Sequence, residues 1–130
     1  MPELCSFDYA IVRVVPRVER GEFVNAGVIL FCSTEGYLDC RIELDRTRLL
    51  ALAPSADTAT IESHLSIIPT VCQGGASAGS IGELPQRARF HWLVAPRSTI
   101  IQMSPVHSGV GRDLRGAIDQ LFEKLVKSQN

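Results

Sequence analysis

With 130 residues, 45% of them hydrophobic and 21% charged, the chain has the size and composition of one ordinary globular domain, residues 1–130. Its 13 basic and 14 acidic residues leave a formal net charge of −1, which excludes a strong long-range pull toward nucleic acid or an anionic membrane. No run of about 18 apolar residues is present to span a bilayer as a helix.

Residues 7–15 (FDYAIVRVV) are rich in β-branched and aromatic types and end at Pro16, which cannot donate to a strand ladder. A polar connection with Gly21 leads to residues 23–32 (FVNAGVILFC), almost wholly apolar after Asn25, as suits a central strand covered on both faces. Ser33-Thr34-Glu35-Gly36 reads as a turn into a third run, residues 37–44. Three extended runs joined by short connections predict an antiparallel meander.

Residues 45–53 fit a short helix, capped by Asp45 and stopped by Pro54. Asp57 caps a second helix in which Ile61, Leu65, Ile68 and Cys72 recur at helical spacing; Pro69 must end or kink it near Ile68. Residues 73–82 (QGGASAGSIG) read as a mobile glycine- and serine-rich loop. They do not fit a phosphate loop, which needs a preceding strand and a following helix. Residues 86–95 (QRARFHWLVA) suit a helix or a strand, with Pro85, Phe90, Leu93 and Val94 favouring the helix. A short strand at 98–103, an irregular loop at 104–112 and a final amphipathic helix at 113–127 complete the chain. On that helix Arg115–Asp119 and Glu123–Lys127 stand at i,i+4, the spacing for ion pairs. The predicted fold is therefore α+β: a meander of three strands plus a fourth short strand, packed with about four helices.

Cys5, Cys32, Cys40 and Cys72 include no C-x-x-C pair to go with His64, His91 and His107, so buried reduced thiols are expected, and no metal or cofactor. Residues 1–8 carry Glu3 and Asp8 and lack a basic segment before an apolar stretch, which predicts a cytoplasmic protein. His64, His91 and Trp92 are expected to pack at or beside the core, and Arg87 and Arg89 to be solvated.

Three stretches carry a resemblance: residues 9–16 (YAIVRVVP) running into 20–28 (RGEFVNAGV), then 90–98 (FHWLVAPRS), then 102–109 (QMSPVHSG). Together they resemble the bacterial family of domain of unknown function 3037, across nearly the whole chain. The resemblance implies small stand-alone bacterial proteins, often encoded beside kinase-like proteins of the persistence-toxin type, and supplies no catalytic residue. One departure is visible: the family tends toward an acidic residue and proline after Gly109, where this chain has Val-Gly-Arg-Asp113.

Eight polar residues ask for a role. Arg13 lies in an apolar strand, where a guanidinium must reach solvent, find a carboxylate or bind an anion. Glu22 and Asn25 sit across the hairpin, Glu22 as a partner for Arg13 or both as turn satisfiers; one register places Arg13 opposite Gly27 and beside Asn25. Arg97, Ser98, Gln102, Ser104 and His107 supply a fixed positive charge, hydroxyls, an amide and an imidazole. These groups suit a phosphate or carboxylate site, or they hold the 104–112 loop in place.

Two functions follow. The first is a non-catalytic binding or regulatory module for a protein partner, such as the kinase-like neighbour, or for a small anionic ligand. The second is a phosphoester hydrolase or transferase using His107 with Arg13 and Arg97. Both expect Arg13, Arg97 and Gln102 to meet in one pocket.

Overall fold

The computed structural model describes residues 3–127. The meander forms as β1 (Cys5–Val14), β2 (Val24–Cys32) and β3 (Tyr37–Ile42). Three helices follow, α1 (Arg46–Leu52), α2 (Thr58–Leu65) and α3 (Ile67–Gln73), then α4 (Gln86–Val94). The strands β4 (Ile101–Met103) and β5 (His107–Gly111) precede α5 (Leu114–Phe122), whose last turn, Glu123–Lys127, widens to π-type.

Asp45, Asp57 and Asp113 each cap a helix, their carboxylates accepting from the backbone N–H of Arg48, Thr60 and Gly116. The second helix breaks at Ser66, earlier than Pro69 alone would dictate, and Pro69 falls in the first turn of α3, where its missing N–H costs no helical bond. The ambiguous segment 86–95 is helical over Gln86–Val94. Ala76–Glu83 forms 3-10 turns, with Gly79 at φ 67° between them. The guanidinium of Arg89 occupies the space beside Gly74, where a Cβ would lie 2.6 Å from its Nη1. Arg89 is therefore buried, donating to the Leu84 carbonyl at 3.2 Å, and not solvated as expected.

The sheet runs β3-β2-β1, and β4 and β5 share the free edge of β1 end to end. All pairings are antiparallel. The expected loop at 104–112 is thus largely a fifth strand. Between Val12↔Met103 and Tyr9↔His107 the register slips by one residue, a bulge holding Ser104, Pro105 and Val106.

Alternation along β1 divides the core. Val12 and Val14 face α1 to α4, with Ala26, Ile29, Leu49, Ile61, Phe90 and Leu93. Phe7 and, at the margin, Tyr9 face the other side, where Val28, Leu30 and Cys32 meet Ile118 of α5. The pairings expected within α5 give way to tertiary ones: Asp119 accepts from Arg41 at 2.9 Å and Lys127 donates to Glu43 at 2.9 Å.

Cys32, Cys40 and Cys72 are buried free thiols and Cys5 is half-buried. Hydrogen bonding with Cys40, together with burial, pushes the Cys72 thiol far above its ordinary pKa and keeps it protonated. Among the described residues no His/Cys/Asp/Glu cluster is arranged to hold a metal, and no helix is long and apolar enough to cross a membrane.

Candidate functional site

The row formed by Asn25, Arg13 and Gln102 crosses three strands on the α5 face. Arg13 pairs with Asn25 because β2 bulges at Ala26, and Gly27 lies opposite Val12, so Arg13 does not sit across from Gly27. The Arg13 guanidinium stands 4.2 Å from the Phe23 ring centroid, a cation–π contact at the end of the hairpin. Its buried Nε–H and the buried Asn25 Oδ1 lack partners among the described residues. The Asn25 amide donates to the Leu125 carbonyl at 3.0 Å, and that of Gln102 to the Thr99 carbonyl at 2.9 Å.

Glu22 does not join this row. It pairs with Arg20 at 2.5 Å, and that hydrogen bond holds its carboxyl below the usual carboxylate range.

Ser104 belongs to the bulge. It is buried, and its Oγ accepts from the Ile11 N–H at 2.8 Å while its own N–H donates to the Ile11 carbonyl at 2.9 Å. The side chain replaces the main-chain acceptor that the slip in register removes. Ser104→Ala should lower stability by about 1–3 kcal/mol, because a strand N–H is left unpaired inside the sheet. Urea unfolding measures it, and a loss below about 0.5 kcal/mol, the lower end for a made hydrogen bond, would refute this role.

His107 is exposed on β5, its ring 5.4 Å from that of Tyr9. Tyr9 and Arg13 are four residue steps apart on β1, roughly 13 Å along the strand.

Arg97 lies on the opposite face. Its Nη1 donates to the Leu93 carbonyl at 2.9 Å and its Nη2 to the Trp92 carbonyl at 2.6 Å, so it caps the C-terminal carbonyls of α4. Its Cζ is 4.8 Å from the centroid of the Trp92 ring. The shared pocket of Arg13, Arg97 and Gln102 is therefore not formed. The sheet stands between the two guanidinium groups, since Gln102 points toward α5 while Ile101 and Met103 pack toward the helices.

What Arg97 and Ser98 do border is an apolar groove of about 610 Å³ on the helical side. Ile67 and Ile68 of α3, Trp92 and Leu93 of α4, and Ile101 and Met103 of β4 form most of its walls. Ile67 is 50% exposed and Trp92 38%, with Val18 and Ile100 similarly open. Four large apolar side chains thus stand open around this cleft. Sequence reasoning assigned Trp92 to packing and His64 to the core edge. Both instead line the groove.

Fold and groove define a class: a small α+β protein with a half-interrupted antiparallel sheet and an open apolar cleft on its helical face. The sequence matches the family described as Protein of unknown function (DUF3037) over residues 9–126, nearly the whole chain, and the protein belongs to that family. No curated protein and no solved structure matches it.

Proposed function

We propose that the protein is a non-catalytic cytoplasmic binding module that engages a protein partner through the apolar groove between α3, α4 and β4. The observation that carries this reading is the row of exposed apolar side chains, Val18, Ile67, Trp92 and Ile100, around one cleft. The chemistry expected of a hydrolase draws no similar support. His107 is on the edge strand, Arg13 is stacked on Phe23, and Arg97 is bonded to helix carbonyls on the other face. A general acid and two anion clamps spaced this way serve no common reacting atom.

Ile67→Glu is the direct test. Ile67 is half-exposed, so the substitution leaves the core intact while placing a charge at the mouth of the groove. The kinase-like protein of the kind the family resemblance suggests should co-purify with wild type and not with Ile67→Glu. Undiminished capture by the variant would exclude the groove. Phosphoester turnover abolished by His107→Ala would establish the enzyme in its place.

A further inference from the structure

The groove has a wall made of main chain as well as side chains. Val15 N–H donates to the Ile100 carbonyl at 2.6 Å and Ser104 N–H to the Ile11 carbonyl at 2.9 Å. In an antiparallel ladder these bonds fix the alternation: residues 100, 102 and 104 turn their amides toward β1, and Ile101 and Met103 turn theirs outward. The Thr99 hydroxyl takes up the Ile101 carbonyl at 2.9 Å. The Ile101 N–H and both main-chain groups of Met103 remain on the open edge, without partners among the described residues. The side chains of these two residues line the groove.

A free strand edge running beside a hydrophobic cleft is the arrangement by which a sheet accepts an added strand. Main-chain bonds then give affinity, and alternate side chains enter the cleft. The charge of the lining narrows the occupant further. Arg97 and His64 are its only ionisable groups among the described residues, both basic. Arg97 uses three of its five N–H groups on carbonyls, donating also to Ala95 at 3.5 Å, and its Nε–H and one Nη2–H remain. Ser98 and Thr99 stand next to it at the entry to β4.

We infer that the occupant is an extended apolar segment of a partner polypeptide, added as a strand along the outer edge of β4 with an acidic residue beside Arg97. This inference rests on the groove reading and specifies what the groove takes. Three facts favour a strand over a docked helix: the outward amides lie at the groove wall, they belong to the same residues whose apolar side chains line it, and a helix has no free main-chain groups to offer them.

A phage-displayed library of random short peptides, panned on the full chain, supplies the probe. Enriched peptides should alternate apolar residues and carry an acidic one, and exchanging that acid for its amide should weaken binding roughly tenfold, a loss of about 1.4 kcal/mol. In wild type, the bound peptide should slow hydrogen exchange at the Ile101 and Met103 amides. Met103→Pro deletes one outward N–H without removing any bond to β1, so it should fold and lose the peptide. If the peptide is lost on Ile67→Glu while both amides exchange as before, the groove reading stands and strand addition is wrong. Should the library yield no binder, or only peptides that Ile67→Glu holds equally well, the inference is overturned, and in the second case the groove reading with it.

Discussion

Gly27→Val should lower the stability of the protein by about 3 kcal/mol, at the upper end of what overpacking a core costs. A Cβ at this position would lie 2.6 Å from the carbonyl oxygen of Arg41 and 2.6 Å from Cδ1 of Ile42. The first of these is backbone, held in register by the pairing Gly27↔Ile42, and cannot step aside without moving β3. The glycine is needed for close approach and not for its dihedral freedom, since its φ is not positive. It also sits next to the Ala26 bulge, where the extra residue turns β2 and the Ala26 carbonyl is taken by the Glu43 N–H at 2.8 Å. A shift of β3 there would disturb the Asn25–Arg13 row as well. Chemical denaturation followed by far-UV circular dichroism gives the loss directly. Wild-type stability in Gly27→Val would show that β3 is free to move at this point.

The three strands of the meander and the caps Asp45 and Asp57 were legible in the sequence because each depends on local chemistry: β-branched runs, a proline stop, a carboxylate ahead of an apolar face. The fifth strand was not. His107-Ser-Gly-Val-Gly111 has two glycines and low strand propensity, and it becomes a strand because the edge of β1 is there to pair with it. Its glycines are used in tertiary contact: a Cβ on Gly109 would be 2.7 Å from the Phe7 ring. The candidate site was misread for a related reason. Arg97 and Gln102 are near in sequence, and a short separation suggested a shared pocket. The strand's period of two sends Gln102 to the face opposite Ile101, and the end of α4 captures Arg97 before the strand begins. The groove depends on which apolar residues remain uncovered after packing. That is a property of the whole fold, and Trp92 and Ile67 look in sequence like any other core positions.

Ile118→Ala carries the largest expected effect, a loss of about 2–5 kcal/mol, because it removes a fully buried side chain from a face that a single helix covers. On the other side of the sheet four helices share the core, and a lost methyl group there can be partly refilled by neighbours. On this side Ile118 is the one residue of α5 that is completely buried, set against Val28, Leu30 and Cys32, with Leu114, Ala117, Leu121 and Phe122 only partly so. The ion pair next to it invites the opposite expectation, that Arg41–Asp119 fastens α5 to β3. Magnitudes decide between them. The pair spans 2.9 Å, but the Asp119 side chain is 58% exposed, and exposed pairs contribute about 0–1 kcal/mol in water. Asp119→Asn should therefore cost less than about 1 kcal/mol and grow more neutral with added salt, whereas the loss in Ile118→Ala should be insensitive to salt. Because α5 lies across the sheet from the groove, the folded fraction of Ile118→Ala should bind groove ligands as wild type does. Urea titrations of both variants at low and high salt separate the two contributions. If Asp119→Asn proved the more damaging, the attachment of α5 would be electrostatic and the burial of Ile118 secondary to it.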